Sequence, residues 1–172
     1  MSIEIRRWSS GPPWQVLADS TATNGGFLFG EARIGPGDPA PGLHTHEHED
    51  ESIYVIEGIM TVELGGERAE LRPGDFIVLP RGVPHRFGNL HDEPVRAVGA
   101  IAPIGIERYF TEQAGYLATL DGPPDPQRIA EMAAPYGITI LGPPLTREDQ
   151  QPATVLAHRR AGRAPPREPS CP

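Results

Sequence analysis

The stretch HTHEHEDES, from His44 to Ser52, concentrates side chains that bind metals or carry charge. It holds three histidines at alternate positions with four carboxylates between and after them: His44, His46, His48, Glu47, Glu49, Asp50 and Glu51. Imidazoles and carboxylates are ligands that first-row divalent metals accept. The stretch is therefore either a solvated acidic loop or part of a site that holds an ion.

Strand geometry favours the second interpretation for some of these residues. Side chains two positions apart on a strand point the same way, so His44 and His46 can face one side together. Glu51 begins the next predicted strand, where Ile53 and Val55 share its face and are expected to point into the core. A carboxylate at the core end of an apolar face must be paired or bind a metal.

A fourth candidate comes from the segment PRGVPHRF, which places His85 just after a tight turn. The histidine starts another predicted strand, and Phe87 lies on the same face. Three imidazoles and one carboxylate would make a site for a first-row divalent ion with positions left open for water or substrate.

The other polar residues near these motifs are expected at the surface. His48 could replace His44 in a shifted pair, but the spacing to Glu51 then fails, so we expect His48 to be exposed. We also expect the remaining acids and the flanking arginines to be solvated: Glu47, Glu49, Asp50, Arg81 and Arg86. One alternative is that Asp50 orients a metal ligand. Another is that one of the arginines guides an anionic substrate.

The aromatic residues are predicted to pack rather than to react. Tyr54 lies on the strand face opposite to Glu51, which favours packing over catalysis. The phenylalanines are expected to fill the barrel, with the alternative that one or two line its mouth: Phe27, Phe29, Phe76 and Phe87.

Short strands separated by turns must position these side chains. The chain contains 20 glycines and 21 prolines, which suits many turns better than long helices. Strands are predicted at residues 15–17, 25–34, 52–56, 59–64 and 95–103, with shorter ones around residues 67–71, 76–79 and from residue 85. This spacing indicates a sandwich or a barrel. Beyond residue 103 a weak helical pattern precedes a clearer helix with Asp125 as its N-cap. The segment ITILGPPL then predicts either a final strand or an extended segment.

Composition excludes several classes of function. The net charge of −8 argues against binding to nucleic acid or to an anionic membrane surface. All 15 basic residues are arginines, so lysine-based catalysis is excluded. The single cysteine, Cys171, leaves no thiolate metal site and no disulfide within the chain. We expect a cytoplasmic protein, because no signal peptide or membrane-spanning run is visible.

With these residues in place, the sequence resembles the cupin superfamily. The first motif of that family appears as His44, His46, Glu51 and Gly58, although the preceding gap, counted from Gly37, is one residue longer than usual. The second motif is matched without departure at five positions: Gly74, Pro80, Gly82, His85 and Asn89. The resemblance covers roughly residues 25–103. Within the superfamily, the sequence resembles in particular single-domain proteins of the flavonol (quercetin) dioxygenase type.

The resemblance implies an all-β fold, a double-stranded β-helix or jelly-roll barrel with the metal inside. It assigns His44, His46, Glu51 and His85 as metal ligands. The expected organisation is an N-terminal arm at 1–24, a barrel core at 25–103, a helical extension packed on the barrel at 104–156, and a flexible tail at 157–172. The segment GIERYF is expected to pack outside the barrel, with a lid as the alternative.

A cupin barrel supports several reactions, so the fold leaves the function open. The resemblance favours a dioxygenase-like enzyme for an enolic or phenolic small molecule, flavonol-like or polyketide-like, with Fe, Mn, Ni, Co or Zn as the divalent metal and Glu51 as both ligand and proton acceptor. One alternative is a zinc cyclase, isomerase or decarboxylase. Another is a small-molecule-binding cupin without catalysis. A homodimer is expected from the family, with neither nucleic acid nor membrane as a partner.

Overall fold

The computed structural model describes residues 13–38 and 40–149 of the chain. These residues contain ten strands: β1 Trp14–Ala18, β2 Leu28–Ile34, β3 His44–His46, β4 Asp50–Glu57, β5 Met60–Leu64, β6 Glu67–Leu71, β7 Phe76–Leu79, β8 His85–Gly88, β9 Val95–Ala102 and β10 Ile138–Ile140. The α-helices are α1 Ser20–Thr23, α2 Glu107–Leu117 and α3 Pro126–Ala133, and short 3-10 turns cover Ala134–Tyr136 and Arg147–Asp149.

The strands form two five-stranded antiparallel sheets. One sheet has the order β1-β2-β9-β4-β7 and the other the order β10-β3-β8-β5-β6. Sequence neighbours such as β3 and β4 lie in different sheets, so the chain crosses from one sheet to the other between them. This is the all-β jelly-roll arrangement that the sequence predicted, and the fold class is confirmed.

The core lies between the two sheets. Inward-facing residues of β2, β4, β7 and β9 pack against those of β5 and β6. They form one buried cluster: Ala32, Ile34, Ile53, Val55, Met60, Val62, Leu71, Leu79, Val95 and Ala97. Burial of this apolar area is the main source of stability that holds the sheets face to face. Ile53 and Val55 take the inward positions expected of them.

The chain reverses between strands at residues that adopt positive φ. Gly58 has φ +77° in the turn between β4 and β5, and a side chain there would collide with the carbonyl of Pro94. Gly82 has φ +74° in the turn before β8. Only glycine adopts this conformation at little cost, which explains the glycines of both sequence motifs.

A second buried cluster joins the C-terminal helices to one end of the barrel. Ile106 and Tyr109 at the start of α2 pack with residues of β2, β9, α3 and β10, namely Leu28, Ile101, Ala133 and Ile138. Asp125 caps α3 as predicted, because its side chain accepts a hydrogen bond from the backbone N–H of Gln127 at 2.9 Å. The C-terminal helices thus pack on one end of the barrel.

Several side chains do not lie where the sequence suggested. Phe27 and Phe76 were expected to pack in the barrel but are exposed, and Phe76 is 61% accessible. Phe76 lies opposite Tyr54 on the outer face of the first sheet, because both alternate with inward residues. Phe87 does pack against the core.

The predicted N-terminal arm contains β1, which is an edge strand of the first sheet. β1 pairs antiparallel with β2, with Trp14 opposite Ala32. The beginning of the predicted arm, the tail at 157–172 and Cys171 lie outside the described residues. Among the helices of residues 13–38 and 40–149, none is long and apolar enough to cross a membrane.

Candidate metal centre

Three histidines meet on the inner face of the second sheet. His44 on β3 lies directly opposite His85 on β8, and His46 follows two residues along β3 on the same face. The ring centroids are 4.4 Å apart for His44 and His85 and 5.0 Å apart for His44 and His46. Cross-strand pairing and alternation therefore suffice to bring the three imidazoles together.

The carboxylate comes from the opposite sheet. Glu51 lies near the start of β4, where it pairs with Ile101 and Leu79 and shares the inward face with Ile53. Its Oε2 atom is 3.7 Å from Nε2 of His85 and 4.0 Å from Nε2 of His46. The four residues are buried, and one potential ligand atom from each falls within 4.8 Å of the others. The structure thus brings together all four residues singled out from the sequence.

Backbone carbonyls orient two of the imidazoles. Nδ1 of His44 is 2.7 Å from the carbonyl oxygen of Gly42, and Nδ1 of His85 is 2.9 Å from that of Val83. Because a carbonyl only accepts, these contacts place the proton on Nδ1 and leave Nε2 with a lone pair. Nε2 of His44 lies 3.1 Å from Nε2 of His46. The turn before His85 is held in turn by a 2.8 Å bond from the N–H of Gly82 to the carbonyl of His46.

The surroundings of His44 and His46 keep both imidazoles neutral near pH 7. Burial lowers the pKa of His46 to about 4, with a further contribution from His44. The pKa of His44 is also lowered, first by burial and then by His85, while the charge of Glu51 opposes the shift. Neutral imidazoles are the form that binds metals.

The donor set fits a divalent transition metal. Two imidazoles present Nε2 lone pairs inward, the third lies beside them, and Nε2 of His85 is buried without a hydrogen-bond partner among the described residues. A buried polar atom of this kind calls for a ligand. Three nitrogen donors and one oxygen donor suit Fe, Mn, Co, Ni or Zn rather than Mg or Ca.

Glu49 was predicted to be solvated, and this prediction was wrong. The residue is only 3% exposed, and its Oε2 atom lies 3.6 Å from Nδ1 of His46. Burial raises the pKa of its carboxyl group. After His46 the chain leaves the strand for a bend, so the alternation that would turn position 49 outward does not apply.

The remaining acids and histidine of the opening stretch are outside the site, as expected. Glu47 and His48 are exposed side chains that face one another at 3.9 Å. Asp50 forms a two-pronged ion pair with Arg81, which lowers its pKa to about 2. Asp50 therefore orients no ligand of the site.

Arg86 is less exposed than predicted. Its guanidinium bonds to Glu63 at 2.9 Å and to the carbonyl of Pro143 at 3.0 Å. Arg68 binds the same glutamate at 2.8 Å and also contacts the carbonyl of Asp149. The two arginines thus connect the C-terminal segment to the second sheet.

A small apolar cavity lies against Glu51 inside the barrel. Its volume is about 20 Å³, enough for about one water. The ring of Trp14 lies over Gly30 and Gly99, which face each other on β2 and β9, and forms part of the wall. Its Nε1 atom is buried and has no acceptor in the described part of the chain. Sequence alternation offered no signal for this role of Trp14.

Comparison with known proteins agrees with this architecture. A Cupin domain family matches residues 30–101. The chain is 34% identical to polyketide synthase CurC of Streptomyces cyaneus over 102 residues, which are 59% of this chain and 66% of that protein. It is 30% identical to quercetin 2,3-dioxygenase of Bacillus subtilis over 96 residues, 56% of this chain and 28% of that enzyme.

Among solved structures, KdgF from Halomonas sp. superposes with a TM-score of 0.49 and 24% identity, over 58% of this chain and 87% of that one. The matched region spans somewhat less than two thirds of the length of CurC and under a third of the length of quercetin 2,3-dioxygenase.

Proposed function

Because the chain belongs to the cupin superfamily and its buried polar residues converge inside the barrel, we propose that it is a metal-dependent enzyme for an enolic or phenolic small molecule. One observation carries the proposal, the convergence of His44, His46, Glu51 and His85 on one point between the sheets. Such a cluster of buried polar groups, with Nε2 of His85 lacking a hydrogen bond among the described residues, is costly in a protein interior unless it binds something.

The residues have separate tasks in this proposal. The three imidazoles would hold the ion, and Glu51 would complete the ligand set. A divalent ion bound there would supply Lewis acidity that lowers the pKa of the substrate hydroxyl. Glu51 accepts the hydroxyl proton, because its carboxylate borders both the cluster and the apolar cavity.

The apolar wall of the cavity contributes to binding and to water exclusion. Ile53, Met60, Phe87 and Ala97 surround Glu51 and offer a flat aromatic molecule only van der Waals contacts. The cavity is far smaller than the several hundred cubic ångströms typical of ligand pockets. A substrate must therefore displace a wall residue, and the indole of Trp14 is the largest group available to move.

We favour a dioxygenase-type reaction, in which both atoms of one O₂ enter each substrate molecule. Similarity to quercetin 2,3-dioxygenase supports this choice. The similarity to polyketide synthase CurC supports a second candidate, a non-redox zinc reaction such as cyclisation of a polyketide-like substrate. Both candidates use the same ligands and the same proton acceptor.

The first test is elemental analysis of untagged protein from metal-supplemented cells, beside the His46→Ala/Glu51→Ala double variant. We expect about one Fe, Mn, Ni or Co per chain, lost in the variant. Absence of metal from both proteins would overturn the metal-dependent reaction.

The two candidates differ in oxygen consumption. Flavonols and related enols should be supplied to the loaded protein while dissolved oxygen is recorded. Substrate-dependent oxygen uptake supports the dioxygenase. Bound zinc with undiminished turnover under nitrogen would refute it in favour of the non-redox reaction.

A further inference from the structure

Glu49 and His46 form a buried pair whose facing atoms lack other partners. Oε2 of Glu49 and Nδ1 of His46 are both inaccessible to solvent, and neither forms a hydrogen bond within the part of the chain that the structure describes. The two atoms are 3.6 Å apart, slightly more than a hydrogen bond. A buried carboxylate oxygen that forms no hydrogen bond is costly, so this arrangement calls for a role.

The protonation of the three imidazoles points to that role. An imidazole that binds a metal through Nε2 carries its proton on Nδ1, and this proton needs an acceptor. For His44 and His85 the acceptors are the carbonyls of Gly42 and Val83. For His46, the acidic group beside Nδ1 is the carboxylate of Glu49.

The segment that leads into α2 holds the carboxylate in place. A Cβ atom on Gly105 would lie 2.7 Å from Oε1 of Glu49, so the carboxylate occupies the space that a side chain would need. The next residue, Ile106, is fully buried and fixes this segment against the barrel. Gly105 does not adopt positive φ, so its backbone conformation does not require glycine. The carboxylate of Glu49, which occupies the space of a side chain, explains why the residue is a glycine.

We propose that Glu49 is a positioning residue for the metal site, which accepts the Nδ1 proton of His46 and so orients its Nε2 towards the ion, with Gly105 leaving room for its carboxylate. The inference rests on the proposed metal site. An anionic acceptor fixes the ring orientation and increases the basicity of the metal-binding nitrogen. Loss of such an acceptor weakens metal binding about 10-fold to 100-fold.

The test is a measurement of Co²⁺ affinity by competition with a chromophoric chelator, on the metal-free full chain. We expect Glu49→Ala to bind Co²⁺ about 10-fold to 100-fold more weakly than the parent protein. Glu49→Gln should fall between them, because its amide oxygen still accepts the proton but carries no charge. Glu47→Ala is the matched control, since it removes the same charge from an exposed side chain that is 72% accessible.

The Gly105→Ala variant tests the same contact between Glu49 and His46 without changing either residue. Its methyl group forces the end of Glu49 to move while every proposed ligand is retained. We expect weaker Co²⁺ binding in this variant, and no further loss when Gly105→Ala is added to Glu49→Ala, because the two changes act on one contact. Additive losses would overturn the proposed link between Gly105 and the site.

Spectroscopy separates positioning from a general loss of stability. The visible absorption bands of bound Co²⁺ should change in Glu49→Ala and remain unchanged in Glu47→Ala. Equal affinities and spectra in these two variants, with the parent protein binding Co²⁺, would overturn the role of Glu49 and leave the metal site intact. A parent protein that binds no Co²⁺ would overturn both.

Discussion

Ile138 on β10 lies directly opposite His46, the second histidine of the candidate site. The same pairing sets Ile140 opposite His44, so β10 covers the free edge of the strand that carries two of the four candidate ligands. On its other side, β3 is joined to β8 by the single register pair of His44 and His85. The C-terminal extension therefore stabilises the geometry of the site.

Replacement of Thr139 by proline should weaken both the fold and metal binding. Bonds from the N–H of Leu141 to Leu43 and from the N–H of Glu47 to Gly137 make Thr139 and Thr45 a hydrogen-bonded pair of the ladder. Proline removes that donor, which costs about 1–3 kcal/mol in free energy of unfolding. Urea unfolding and Co²⁺ titration measure the two effects.

Thr139→Ala is the control for this change. The side chain of Thr139 is exposed, and alanine keeps its N–H. We expect the alanine variant to match the parent protein closely in Co²⁺ affinity. Unchanged affinity in the proline variant would show that β10 does not support the site.

Metal binding should stabilise the folded protein. A ligand that binds only the folded state at about 100 times its Kd raises the free energy of unfolding by about 2.7 kcal/mol. We expect this increase when Co²⁺ is added to the parent protein and its loss after chelation. The His85→Ala variant should show no increase, because the buried Nε2 atom is gone. Thermal unfolding with and without Co²⁺ tests this expectation.

The metal-free protein should lose stability in mild acid. Burial lowers the pKa of His46 from 6.5 in the unfolded chain to about 4 in the folded one. Between these pH values the unfolded chain binds more protons than the folded one. The contribution of neutral His46 to the free energy of unfolding is therefore full above pH 6.5 and is lost as the pH falls towards 4. Urea unfolding at several pH values measures the slope. A His46→Asn variant with the same slope as the parent would contradict the assignment.

Gly30 and Trp14 should show coupled effects on stability. A methyl group on Gly30 would overlap the indole of Trp14. We expect Gly30→Ala to cost about 1–3 kcal/mol through overpacking. In a Trp14→Leu background the same change should cost less, since the smaller side chain leaves space. A double-mutant cycle in urea measures the coupling, and strictly additive effects would show that the indole does not occupy this position in solution.

Much of the site could be predicted from the sequence, because strand alternation and two turn motifs determine where His44, His46, Glu51 and His85 point. These residues lie on or beside regular strands, where the side-chain period is fixed. The position of Glu49 could not be predicted in this way. It lies in the irregular segment between β3 and β4, where no period applies, and its carboxylate lies against Gly105, far along the chain.

The fold class and most strands followed from short apolar runs between glycine and proline turns. The pairing of β10 could not be predicted in this way, since ITILGPPL indicates a strand or an extended segment but carries no sign that it pairs with β3. Exposure of Phe76 was also missed, because hydrophobicity alone does not tell the outer face of an edge strand from the inner one.

The pairing of β10 with β3 also has a consequence for the order of events during synthesis. The ligand strand emerges from the ribosome early, whereas its neighbour β10 is the last strand of the described chain. Pairings between distant segments form late in folding. His44 and His46 therefore lie on an open sheet edge until β10 has been made, so the proposed metal site is completed late in folding.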